Sequence, residues 1–122
     1  MSLPNYIVYY VEKPSKSGAF YAALFDGEHI PSSENYSIVL LKNGIKLGFW
    51  SKQAVSPKTD GVPGSSELCV MVDNQEAVDS YYQHWQQRHV DVIQKPMNMG
   101  YGYTFLGQCP DGHRLRVAYI FD

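Results

Sequence analysis

With 122 residues the chain has room for one compact domain or two small fused repeats, and not for two independent domains. A content of 44% hydrophobic and 18% charged residues excludes a disordered composition, and a net charge of −2 leaves no basic footprint for nucleic acid. No apolar run approaches the roughly 18 residues of a membrane span, and the N-terminus lacks a secretory pattern, so no membrane partner and a cytoplasmic location are expected.

Tyr6 to Val11 has the β-branched and aromatic content of a strand, with Ile7, Tyr9 and Val11 on one face and Tyr6, Val8 and Tyr10 on the other. Pro14 opens a helix that runs to about Phe25, proline being tolerated in a first turn. Ala19, Phe20, Ala23 and Leu24 recur at helical spacing and are expected to pack on the strand. Residues 26 to 35 are polar and turn-rich. Tyr36 to Leu41 and Ile45 to Trp50 flank Lys42-Asn43-Gly44 and read as a hairpin on an Asn-Gly turn. From Lys52 to Ser66 apolar periodicity is lost among Pro57, Asp60-Gly61, Pro63 and Gly64, as in a linker.

The plan then recurs. Glu67 to Val72 is an apolar strand, Asp73 or Asn74 can cap a helix, and Ala77, Val78, Tyr81, Tyr82 and Trp85 repeat at helical spacing as far as about Arg88. Val90 to Gln94 is a short strand, and Lys95 to Gly102 a loop rich in methionine and glycine. Tyr103 to Leu106 and Leu115 to Ile120 enclose Pro110-Asp111-Gly112, strong turn chemistry, in a second hairpin that carries His113, Arg114 and Arg116 close to its turn. Of the two cysteines, Cys69 lies in an apolar strand and reads as a buried thiol rather than half of a disulfide. His29, His84 and His89 share no metal-binding spacing and read as surface residues. Ten tyrosines in a chain that is 14% aromatic suit either a half-polar core or a cavity wall for flat ligands.

Two strand-helix-hairpin repeats, a helix carrying Phe20-Tyr21 and a terminal Pro110-Asp-Gly-His-Arg114 hairpin resemble the vicinal oxygen chelate superfamily of glyoxalases, bleomycin-resistance proteins and extradiol dioxygenases. The resemblance implies an α+β fold of two βαβββ repeats, residues 4–52 and 66–122 about a linker of 53–65, whose sheets curl into paired half-barrels around a cavity. It also implies a homodimer. Enzymatic relatives hold a divalent metal with His, Glu or Gln from the opening and closing strands of each repeat. Carried over singly, those positions fall near Tyr6, a poor ligand, on Glu67, an acceptable one, near Gly48, and on Arg116, where glutamate is usual. Cys109 stands where the family's turn usually has aspartate. Arginine has no acceptor and stays charged, so the simpler expectation is that Arg116 pairs with Glu67 and that no cofactor is held, a divalent metal being the alternative.

Loss of the metal points, within the resemblance, to the non-catalytic antibiotic-binding branch, in which a planar aromatic molecule is sequestered. Trp50 would stack on it, Gly48 beside it leaving room, or else serves as a core or dimer contact. Tyr101, Tyr103 and Phe105 share one strand face, either a cavity wall or a helix-packing face. Met97 and Met99 form a promiscuous lid or cover a core edge. His113 bonds a ligand or stabilises its own turn, and Arg116 clamps a ligand carboxylate or pairs with Glu67. Tyr6, Tyr10, Glu67 and Met99 complete the candidate ligand-binding set with Trp50, Tyr103, Phe105, His113 and Arg116. The opposing reading is a metal-dependent lyase, isomerase or dioxygenase of the same superfamily. A third is an interaction module whose cavity is filled by its own tyrosines.

Overall fold

The computed structural model describes residues 3–121, and the chain divides between Gly61 and Val62 into two units. The first contains β1 (Tyr6–Val11), α1 (Pro14–Phe25), β2 (Glu28–Ser33), β3 (Tyr36–Leu40) and β4 (Lys46–Ser51). Its sheet has the order β1-β4-β3-β2, with β1 parallel to β4 and the other pairs antiparallel. The second contains β5 (Glu67–Met71), α2 (Gln75–Gln87), β6 (Asp91–Asn98), β7 (Gly102–Gln108) and β8 (Arg114–Ile120), in the matching order β5-β8-β7-β6. The fold is therefore α+β, a βαβββ repeat used twice.

In the first unit the alternation along β1 buries Tyr9 and Val11 beneath α1, together with Val39, Leu47 and Phe49. Tyr21 comes down from the helix between Tyr9 and Phe49, with ring centroids 5.8 and 4.8 Å away. The helix buries Pro14, Ser17, Gly18, Tyr21 and Leu24, whereas Ala19 and Ala23 of the expected stripe are exposed. Close approach at a glycine explains the rotation. A Cβ on Gly18 would lie 2.7 Å from Ser37 Oγ and against the His29 imidazole, and Ser37 Oγ donates to the Pro14 carbonyl at 2.7 Å. His29 is accordingly half-buried rather than on the surface, and among the described residues its Nε2 has no hydrogen-bond partner.

Two further expectations change. Residues 28–33, read as turn-rich, form β2, and β6 runs on through Lys95, Pro96 and Met97 into the expected loop. Both are edge strands, where a proline removes no ladder bond on its solvent side.

The second unit packs Val78 and Trp85 of α2 on Phe105, Leu115 and Val117. Asn74 caps the helix, its Oδ1 accepting from the Ala77 N–H at 2.8 Å. Both hairpin turns place glycine in the left-handed region, Gly44 at φ +92° and Gly112 at +90°. Two backbone bonds close the second turn, Gly112 N–H to Cys109 O at 2.9 Å and Cys109 N–H to His113 O at 3.0 Å. An aspartate side chain at position 109 is not needed to close it.

Candidate functional site

The alternation that buries one sheet face leaves the other open. In the first unit it presents Tyr6, Val8 and Tyr10 of β1, each about 40% exposed. Across from them on β4 stand Lys46, Gly48 and Trp50, and beyond these Leu40, Ile38 and Tyr36 of β3. Tyr10 and Tyr36 meet the half-buried Trp50 from either neighbouring strand, both T-shaped with centroids 6.2 Å away. The indole is thus held in position while its face of the sheet stays open.

Gly48 does not leave the empty room expected of it. A Cβ there would collide with the Tyr36 hydroxyl and lie 2.8 Å from Tyr6 Cε1. The two tyrosines reach over the glycine from opposite sides, with their hydroxyl oxygens 2.7 Å apart. Burial first, then the Tyr6 hydrogen bond, pushes the Tyr36 phenol above its ordinary range, so it stays neutral at physiological pH. Tyr36 was missing from the candidate set. The turn could have revealed it, because counting outwards from the three residues Lys42-Asn43-Gly44, Leu41 against Ile45 first, pairs Tyr36 with Trp50.

The open face of the second unit carries Glu67, Cys69 and Met71 of β5 opposite Arg114, Arg116 and Ala118 of β8. Arg116 grips Glu67 with both ends of its fork, Nε to Oε1 at 2.7 Å and Nη2 to Oε2 at 2.9 Å. Its Nη1 donates to Thr104 Oγ1 at 3.1 Å, and Thr104 donates to the Val117 carbonyl at 2.8 Å. The Arg116 hydrogen bond holds the Glu67 carboxyl below the usual carboxylate range, and the same bond raises Arg116. Cys69 is exposed, not buried, because β5 is an edge strand and the thiol projects on the open face; the buried thiol is Cys109.

Tyr103 and Phe105 resolve to the helix-packing side of their two readings. Phe105 is fully buried against Tyr82 and Trp85, centroids 5.4 and 5.2 Å away, and the Tyr103 hydroxyl donates to Asp79 of α2 at 2.8 Å. Neither stands on the open face. The lid is replaced by a tight turn: Met97 belongs to β6, and Met99 N–H donates to the Gly102 carbonyl at 2.9 Å. Met99 itself is 39% exposed. His113 is half-buried and its carbonyl closes the Cys109 turn.

The family model for the glyoxalase/bleomycin resistance protein/dioxygenase superfamily matches residues 3–117. The chain belongs to this superfamily. It is 31% identical over 118 residues to the phenazine antibiotic resistance protein EhpR of Enterobacter agglomerans, covering 94% of this chain and 90% of the relative. The solution structure of protein ATC0852 from Agrobacterium tumefaciens is 38% identical over all of both chains, with a TM-score of 0.87. A glyoxalase/bleomycin resistance protein/dioxygenase family enzyme from Burkholderia phytofirmans PsJN shares the fold at 19% identity and a TM-score of 0.79, over 98% of this chain and all of that one.

Superfamily enzymes bring a divalent metal into question, and the side chains present do not fit one. Among the described residues no three His, Cys, Asp or Glu side chains are grouped to hold an ion. Glu67 has both carboxylate oxygens bonded to Arg116, and a cation beside that guanidinium would be repelled.

Proposed function

We propose that the protein binds a flat, fused-ring aromatic molecule of the antibiotic type by stacking it on Trp50, and protects by sequestering it unchanged. The observation that carries this is the open aromatic face of the first unit, where Tyr10 and Tyr36 hold the half-buried indole in T-shaped contacts and exposed apolar side chains surround it. The relationship to a phenazine antibiotic resistance protein supports the ligand class. An aromatic contact of this kind contributes about 1 kcal/mol beyond area burial. Arg116 uses three of its five N–H groups on Glu67 and Thr104. The remainder could receive an acidic group on the open face of the second unit. Free thiols at Cys69 and Cys109 suit a reducing cytoplasm, and a homodimer is part of the same proposal.

Sequestration differs from catalysis in stoichiometry. Protein incubated with excess phenazine carboxylate, then denatured and analysed by mass spectrometry, should return the ligand unchanged, with capacity limited by the protein present. Turnover beyond the protein concentration, with or without added nickel, manganese or iron, would restore the metal-dependent enzyme reading.

A further inference from the structure

We propose that the Tyr6–Tyr36 hydroxyl pair is a hydrogen-bond donor that reads the edge of the stacked ligand. The first unit would then select fused aromatic rings with an acceptor atom in the edge, a ring nitrogen or a carbonyl oxygen, over carbocyclic rings of the same shape. This rests on the stacking reading above and names the kind of ring it takes.

Two phenolic hydroxyls carry two protons, and the 2.7 Å bond between them uses one. The second is available to an acceptor outside the pair, and Tyr6, 40% exposed, opens the pair to the sheet's free face. Burial keeps Tyr36 protonated, so the donor persists through the physiological range.

Position decides what the donor can meet. Side chains stand roughly perpendicular to a sheet, so a ring stacked parallel to the indole turns its edge towards the strands. Gly48 lies two residues from Trp50 on the same face, roughly 7 Å along β4. Because Gly48 has no Cβ, the Tyr36 hydroxyl occupies the space where one would be. It therefore sits at the floor of the face, where the edge of a fused ring system on Trp50 arrives. A side chain at position 48 would push both hydroxyls off that floor.

A matched pair of probes tests this: phenazine carboxylate and the anthracene carboxylate with the acid at the same ring position, which differ in two ring nitrogens. Binding is read from Trp50 emission in wild type, in Y6F/Y36F and in G48A. One neutral hydrogen bond should give wild type a roughly two- to tenfold preference for the phenazine. The double variant keeps both rings and should lose that preference, its affinities for the two probes becoming equal. Should the double variant not fold, G48A carries the same expectation, because it displaces the hydroxyls without removing them. Equal affinities in wild type would overturn the hydroxyl pair and leave stacking intact. A preference that survives in the variants would also overturn it, and binding of neither probe would sink the stacking reading as well.

Discussion

Replacing Glu67 by Gln tests whether the fork in the second unit is a stabilising pair. The change keeps the side chain's length and takes the charge from Arg116 Nε and Nη2, bonded now at 2.7 and 2.9 Å. A freely exposed pair contributes under about 1 kcal/mol, and a hydrogen bond to a charged group about 1.5–3 kcal/mol. With Arg116 14% and Glu67 34% exposed, water screens part of the attraction, and E67Q should cost about 1–2 kcal/mol. Urea unfolding would show this as a lower midpoint at unchanged slope. The folded Glu67 carboxyl is held below its ordinary 4.5, so the unfolded chain takes up the proton first as pH falls. The contribution is complete above the ordinary carboxylate range and is lost as pH falls through the depressed folded value. The difference between wild type and E67Q should therefore shrink from about pH 7 to about pH 3. A difference within about 0.5 kcal/mol, the range of inert surface substitutions, or one that grows towards acid, would refute the pair's role.

Phe105→Ala should cost about 3–5 kcal/mol, as expected for a buried ring between Tyr82 and Trp85. Planar-ligand affinity of the folded variant should not change; a binding loss at wild-type stability would return Phe105 to the ligand set. Gly18→Ala sets a helix-propensity gain of about 1 kcal/mol against overpacking of about 1–3 kcal/mol, since the new methyl meets Ser37 and His29. A lower Tm is expected, and a higher one would show that the helix rides further from the sheet.

Both hairpins, the two helices and the two-faced β1 are legible in the sequence because each carries a local signal: Asn43-Gly44, Asp111-Gly112, Pro14, Asn74 and strict alternation. The Glu67–Arg116 pair is legible only through the family resemblance, since its partners lie 49 residues apart. β2 and the end of β6 are hidden because edge strands bury little, leaving polar residues and Pro31 or Pro96 to imitate a loop. The α1 face is hidden because small residues, Ser17 and Gly18, pack where the strands come closest, while hydrophobicity points to Ala19 and Ala23. In the open faces, strand parity shows which residues share a side but not which side a helix covers. For that reason Phe105 and Tyr103 stay open between cavity wall and helix-packing face until α2 is placed over them. Gly48 reads as empty space until Tyr36 is seen to fill it.

The most direct test of the central claim is a tryptophan fluorescence titration with phenazine carboxylate. The two tryptophans differ in the way such a test needs: Trp50 stands on the open face, and Trp85 is fully buried in the core of the second unit. Saturable quenching in wild type is expected, while in Trp50→Ala the remaining Trp85 signal should stay unquenched at ligand concentrations about tenfold above the wild-type midpoint, a loss of at least some 1.4 kcal/mol. Saturable quenching of equal affinity in Trp50→Ala, or none in wild type, would contradict the account.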